Sequence, residues 1–164
     1  MTLDFATERL LFEPTGVTED AIATIFAFPN DYTIGITSLG YQIVWATLAA
    51  RSDVAVSRLF TDGHEPLPAR PELFGISLSW ELDYGNLLGL LESQQIPIWA
   101  SDRTDAHPLV FGGGPVLTAN PEPFANFFDV ILLGDGELLL GQFIDAYKQV
   151  RHADRATQLR QLAR

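Results

Sequence analysis

The sequence predicts an α/β protein built on one doubly wound, five-stranded parallel sheet. Short apolar segments rich in β-branched residues alternate with segments of helical periodicity between residues 31 and 150. This alternation is the pattern of repeated βαβ units. The length of 164 residues and the apolar content of 47% suit one globular domain with a core of its own.

Five segments are predicted to be buried strands because each is a short and almost continuous apolar run. The predicted strands are 32–38, 54–60, 73–79, 108–112 and 130–134. Proline, glycine and acidic residues mark the connections between them, most clearly in TDGHEPLPARP at 61–71.

Helices are predicted where apolar residues recur three and four positions apart. The helices predicted after the strands are 39–51, 84–95, 121–128 and 136–150, and a short helix is predicted within 18–28. Asp135 and Glu137 are expected to cap the 136–150 helix, where carboxylates are favourably placed against the helix dipole.

The chain is predicted to divide into three ranges. Residues 1–30 form an N-terminal extension, 31–150 form the α/β domain, and 151–164 begin a linker. The last range, RHADRATQLRQLAR, is charged and predicted to be helical, with no apolar face of its own to bury. We therefore expect a chain cut in mid-course, with a naturally short chain as the alternative.

Composition excludes several classes of function. A net charge of −11 argues against direct binding of nucleic acid or of an anionic membrane surface. The chain has no cysteine, so it cannot itself hold a disulfide, a catalytic thiolate or a cysteine-ligated iron–sulfur cluster. The N-terminal segment lacks the apolar core of a secretory signal, and the expected compartment is the cytoplasm.

No complete catalytic or metal-binding constellation is recognisable in the sequence. His64, His107 and His152 lie in predicted loops or in the tail, without the spacing of metal ligands. The segment TSLGYQIVW has one glycine where a dinucleotide fingerprint has three. No serine stands in a nucleophile elbow. We therefore predict no catalytic and no metal-ligating residue.

Small and hydroxyl-bearing residues follow four of the predicted strands. Ligands of open parallel sheets bind outside the carboxyl ends of the strands, so these positions are the candidate binding site. The candidates are Ser38, Leu39, Gly40, Ser77, Ser79, Gly112, Gly113, Gly114 and Gly134. Together they predict a shallow floor lined by backbone, although glycine in a βα turn also has a purely structural explanation.

Three segments resemble the N-terminal part of certain radical S-adenosylmethionine (radical SAM) proteins, in which a cobalamin-binding-like domain precedes the radical barrel. The resemblance covers about residues 27–140. Its segments are FPNDYTIGITSLGYQIVW, FGISLSWELDYGNLLGLLESQQIPIWASDR and HPLVFGGGPVLTANPEPFANFFDVILLGDGE. It implies a flavodoxin-like (Rossmann-like) sheet with the strand order 2-1-3-4-5.

The resemblance also implies cofactors and a partner. A cobalamin, if bound, would lie over the strand ends, with Ser77-Leu78-Ser79 and Gly112-Gly113 at the family's matching positions. Cobalamin domains with a histidine ligand carry Asp-x-His-x-x-Gly after the first strand, where this chain has TSLGYQ, so histidine ligation is not expected. The 4Fe-4S cluster and S-adenosylmethionine would belong to a C-terminal radical SAM domain of the same polypeptide.

The sequence therefore leaves two hypotheses about function open. The first is an accessory, cobalamin-binding-like domain that lies over the active site of a radical SAM enzyme and is not catalytic alone. The second is a scaffold that binds no ligand and packs its polar edge against the barrel. A flavodoxin or receiver module is a weaker alternative, since TSLGYQ lacks the hydroxyl-rich phosphate loop of a flavodoxin. Ser77 and Ser79 stand where a receiver has its acidic cluster.

Overall fold

Five parallel strands form one sheet in the order β2-β1-β3-β4-β5. The computed structural model describes residues 7–163. The strands are β1 (Ile22–Ala27), β2 (Val54–Leu59), β3 (Leu73–Ser77), β4 (Leu109–Gly113) and β5 (Val130–Ile131). Each pair of neighbours is parallel. The predicted α/β class and the flavodoxin-like strand order are confirmed.

Helices cover both faces of the sheet, as in other doubly wound folds. They are α1 (Tyr32–Gly35), α2 (Leu39–Ala49), α3 (Tyr84–Ser93), α4 (Pro115–Ala119), α5 (Gly136–Val150) and α6 (Arg155–Leu162). Apolar side chains of α2 and α5 pack on one face of the sheet, and those of α3 and α4 pack on the other. The core therefore has two layers, separated by the sheet.

The first strand lies earlier in the chain than predicted. Ile22–Ala27 is β1, not part of a helix, and most of it is buried. Its continuous apolar run also satisfies a helical spacing, and periodicity alone does not separate the two for a short buried segment. The predicted strand 32–38 was wrong: its first half is the single helical turn α1, and Ser38 is the N-cap of α2. The division at residue 31 remains a prediction, but the range called an extension supplies a central strand.

Smaller differences concern the ends of the elements. The predicted strands 73–79 and 130–134 end at Ser77 and Ile131. The predicted helix 121–128 is instead one 3₁₀ turn, and the helix here is α4, with Pro115 at its first position. Proline suits that position because its missing N–H has no helical partner there.

The C-terminal segment packs onto the domain, contrary to the expectation that it has no face to bury. The side chain of Asp154 caps α6 by accepting the Thr157 N–H at 2.9 Å. Leu159 and Leu162 pack against the core on the α2 and α5 side. Two leucines are too few to show as a periodic pattern, which is why the sequence did not reveal this face.

A buried ion cluster ties α6 to the sheet. Asp129, directly before β5, accepts Arg103 Nη1 at 3.0 Å and Arg155 Nη2 at 2.5 Å, and its side chain is 1% exposed. The same Oδ2 accepts the Val110 N–H, which fixes the start of β4 as well. Burial lowers the pKa of Arg103, and the adjacent Asp129 opposes that shift. Removing one partner of such a cluster would leave a buried charge uncompensated.

Three consecutive glycines after β4 have three different structural roles. A Cβ on Gly112 would lie 2.7 Å from Phe128 Cδ1 and 2.8 Å from Leu117 Cδ1, so this residue makes room for a core ring. Gly113 faces open space, where its Cβ would meet only Leu132, at 3.7 Å or more. Gly114 has φ of +114°, and its Cβ would lie 2.6 Å from the Leu78 carbonyl oxygen. Conformation and contact both require glycine there.

Substitution of the first two glycines should therefore have unequal effects. Gly112→Ala is expected to lower the free energy of unfolding by about 1–3 kcal/mol, because the new methyl group overpacks the core. Gly113→Ala, the matched control, should change it by no more than about 0.5 kcal/mol. Urea denaturation of the two variants measures the difference. Equal destabilisation by both would contradict the roles assigned to these glycines.

Candidate functional site

A cleft of about 480 Å³ opens at the carboxyl edge of the sheet, between the first turns of α2 and α5. Phe26 of β1 and Phe111 of β4 line it from the sheet. Ser77 and Gly113, which pair at the ends of β3 and β4, also line it. The cleft lies where ligands of open α/β sheets bind, at the point where the strand order reverses.

Seven of the nine predicted site residues line this cleft. They are Ser38, Gly40, Ser77, Ser79, Gly113, Gly114 and Gly134. Leu39 does not, because its side chain is 69% exposed on the outside of α2. Gly112 does not either, because it packs under Phe128 on the other face of the sheet. The structure thus brings most of the candidates together, and their role in binding a cofactor remains a prediction.

Some lining residues were not predicted because they lie on helices and not directly after the strands. Ile43 and Val44 line the cleft from α2, and Leu132 and Leu140 line it from the segment through α5. Their apolar side chains fit the helical pattern of core residues equally well, so no sequence signal separated the two roles. The cleft therefore has apolar walls as well as a floor of small residues.

The polar groups of the cleft fall into two classes. Within the described residues, the hydroxyls of Ser77 and Ser79 have no hydrogen-bond partner, whereas Ser38 Oγ accepts the Tyr41 N–H at 3.4 Å. Asp135 is the N-cap residue of α5, as predicted, but its side chain accepts no capping hydrogen bond. Glu137 lies in the first turn of α5, as predicted. A hydroxyl pair is therefore free to bind a ligand.

The charged side chains of the cleft are both acidic. Asp135 and Glu137 line it, and no lysine, arginine or histidine among the described residues does. The N-termini of α2 and α5 attract negative charge, but these two carboxylates oppose that attraction at α5. The cleft therefore favours a neutral or cationic group over a phosphate.

Exposed apolar side chains surround the cleft on the segments that follow the strands. We refer to this set as the carboxyl-edge rim. Its members are Leu39, Trp80, Leu82, Tyr84, Leu133 and Leu138. Leu82 is 89% exposed and Leu138 is 70% exposed. Apolar residues concentrated on one side of a molecule indicate an interaction surface, whereas scattered ones do not.

A buried carboxyl group lies just beneath the rim. Asp83 is 7% exposed, its Oδ1 accepts Asn30 Nδ2 at 3.0 Å, and its Oδ2 has no partner. Burial raises the pKa of Asp83, and the hydrogen bond from Asn30 partly opposes that shift. The loops after β1 and β3 meet here, because Asn86 Nδ2 also donates to the Pro29 carbonyl at 3.0 Å.

Neither a metal site nor a membrane-spanning helix is present among the described residues. Within residues 7–163, no three histidine, aspartate or glutamate side chains are grouped so that they could hold a metal ion. No helix in the same range combines the length and apolar character needed to cross a membrane.

Comparison with known proteins identifies the family. The family model described as radical SAM proteins, N-terminal, matches residues 61–164, more than half of the chain. The chain belongs to this family. The matched range of the radical SAM N-terminal domain includes Ser77, Ser79, the glycine triplet and the whole of α5.

One curated relative and the solved structures add context. An uncharacterized protein of Methanocaldococcus jannaschii is 26% identical over 110 residues, which are 67% of this chain and 23% of the relative. The radical SAM N-terminal domain described here thus aligns with less than a quarter of that protein. No solved structure matches the chain.

Because the pKa of Asp83 is raised, the free energy of unfolding should depend on the ionisation of this carboxyl group. A carboxyl group whose pKa is raised by folding favours the folded state when protonated, and this contribution is complete below about pH 3.9. It is lost as pH rises through the folded-state pKa. The side chain of Asp83→Asn cannot ionise. The free energy of unfolding of this variant, relative to that of wild type, should therefore increase as the pH rises from about 3 to 7.

Urea denaturation across that pH range measures the effect, with Glu81→Gln as the control. Glu81 is an exposed carboxylate in the same loop. A difference between Asp83→Asn and wild type that does not vary with pH would contradict the account of a buried carboxyl group.

Proposed function

We propose that this chain is an accessory domain of a larger radical SAM protein, and that its carboxyl edge packs against the radical SAM domain of the same polypeptide. The observation that carries the proposal is the carboxyl-edge rim, where large apolar side chains stay exposed around a cleft. Burying one such side chain completely contributes about 1.5–3 kcal/mol, so a few of them suffice to hold two domains together.

The domain supplies a surface and a chamber, while the radical chemistry belongs elsewhere. The chain has no cysteine to hold an iron–sulfur cluster. A partner domain seated on the rim would close the cleft and exclude water from it. In a water-excluded space the free hydroxyls of Ser77 and Ser79 would orient a bound molecule more strongly than in open solvent.

Arginine substitutions in the rim test the proposal in a longer protein that contains both domains. Leu82→Arg combined with Leu138→Arg should place two charges in the interface, so the domains should unfold separately. Wild type should show one coupled transition by calorimetry. Leu11→Arg is the matched control, because Leu11 is equally exposed, at 93%, but lies away from the rim. The segment that follows Leu11 runs along the C-terminal end of α2, where the Thr15 N–H donates to the Ala49 carbonyl. Uncoupling by the control, or none by the rim variant, would contradict the proposal.

A second candidate function is the binding of a cobalamin that has no histidine ligand. The unpartnered hydroxyls of Ser77 and Ser79, beside the bare floor at Gly113, support it. The fit is partial. The rings of Phe26 and Phe111 both lie against Gly75 and limit the depth of the cleft, so the cleft could admit part of a cobalamin. A bound cobalamin would supply a cobalt centre, and this chain would position it through the hydroxyls and the backbone at Gly113.

Titration with hydroxocobalamin tests this second candidate. We expect a change in the visible spectrum and a rise in Tm for wild type, and neither change for Gly113→Val, whose side chain would fill the floor. Gly89→Ala on α3 is the control, because a Cβ there meets no atom within 4 Å. The absence of both changes at millimolar cobalamin would leave the docking function alone.

A further inference from the structure

A second and larger cavity lies at the opposite edge of the sheet. This amino-edge cavity has a volume of about 750 Å³ and is bounded by the segments that precede β3 and β4 and by the ends of α3, α5 and α6. The strand β3 is five residues long. At about 3.3 Å per residue, it separates the two cavities, which lie at opposite ends of the strands. The amino-edge cavity is therefore independent of the proposed function.

The acidic groups of the amino-edge cavity are already engaged. Glu72 Oε2 accepts Arg151 Nε at 2.5 Å, and Glu72 Oε1 accepts Arg151 Nη2 at 2.6 Å. Asp105 Oδ1 accepts the backbone N–H of Arg155 at 2.7 Å. Nη2 of the Arg155 guanidinium donates to Asp129 and to the Pro108 carbonyl, whereas its buried Nε has no partner among the described residues. Glu72 and Arg151 form an ion pair, as do Asp129 and Arg155, whereas Asp105 accepts only a backbone N–H.

Several donors that line the same cavity have no such partner. Among the described residues, Arg70 takes part in no hydrogen bond and no ion pair, and its side chain is exposed. His107 Nδ1 accepts the Thr104 N–H at 3.0 Å, so the neutral imidazole must carry its proton on Nε2. That Nε2–H and the imidazole of His152 have no hydrogen-bond acceptor within the described part of the chain. The unsatisfied groups of the cavity are thus mainly donors.

The turn after α3 brings one more donor to the cavity at a conformational cost. Gln95 has φ of +57°, and it is the described non-glycine residue with positive φ. Its N–H donates to the Glu92 carbonyl, and the next N–H, of Ile96, donates to the Leu91 carbonyl. This is the C-terminal helix motif in which glycine ordinarily occupies the position of Gln95. A strained residue with a free amide side chain beside a cavity points to a use for that side chain.

We propose that the amino-edge cavity binds a small molecule carrying an oxyanion, either a phosphate or a carboxylate, through Arg70, His107 and Gln95. An arginine guanidinium forms paired hydrogen bonds with either oxyanion, and the imidazole N–H and the amide N–H add neutral donors. The remaining wall mixes the amides of Gln94 and Gln158 with apolar residues such as Leu109, which suits a body that is partly hydrophilic.

Isothermal titration of the 164-residue chain with pyrophosphate and with citrate, at matched ionic strength, tests the proposal and separates the two oxyanions. We expect saturable binding of at least one of them. Arg70→Gln should weaken it about tenfold, since one charge-assisted hydrogen bond is worth about that factor. Arg160→Gln is the control, because Arg160 is an exposed arginine on the last turn of α6.

Gln95→Gly provides a second variant that does not risk the fold. Relief of the left-handed backbone should raise its Tm, while loss of the amide should weaken binding two- to fivefold. Amide shifts in ¹H–¹⁵N spectra should map to 94–96 and 105–109. Binding by neither anion, equal affinity in Arg70→Gln and wild type, or shifts confined to the start of α5 at 134–137 would overturn the proposal.

Discussion

The close approach of two phenylalanine rings to Gly75 shapes both the core and the cleft. In the register of the three central strands, Gly75 lies between Phe26 and Phe111. A Cβ on Gly75 would lie 2.9 Å from Phe26 Cδ2, so any larger residue would separate the rings. The rings complete the core beneath α2 and α5, and they also form the deep side of the cleft.

The residues two positions further along β3 and β4 lie on the same face of the sheet as the two rings. Because side chains alternate between faces, Ser77 follows Gly75 on the same face, and Gly113 follows Phe111. Both are small, so the layer above the rings stays open, and the helices α2 and α5 flank it with their first turns. The fold thus gives the carboxyl edge an apolar base, a layer of hydroxyl and backbone groups, and an exposed apolar rim. The opposite edge gathers arginines, histidines and glutamines around a polar cavity.

Local signals in the sequence predicted the fold class and seven of the nine cleft-lining candidates, and the strand order followed from the family resemblance. Glycine and serine after buried apolar runs mark βα turns whatever the exact strand ends are. The prediction from sequence was wrong at β1, because IATIFA fits helical and extended patterns equally well. Only the pairing of this segment with β2 and β3 decides between the two. The sequence could not separate Gly112 from Gly113, since their difference depends on Phe128, sixteen residues beyond Gly112. The amino-edge cavity was equally invisible, because its donors come from four separate segments.

Hydrogen exchange on the carboxyl edge tests directly whether this edge is an interface. Amides at 80–84 and 134–138 should exchange fast in the 164-residue chain, because these segments are loops and first helical turns that open easily. In a longer protein that contains the radical SAM domain, we expect slower exchange in these two segments, while the exchange of amides in 105–107, at the opposite edge, should not change. Equal exchange of 80–84 and 134–138 in both proteins would contradict the account.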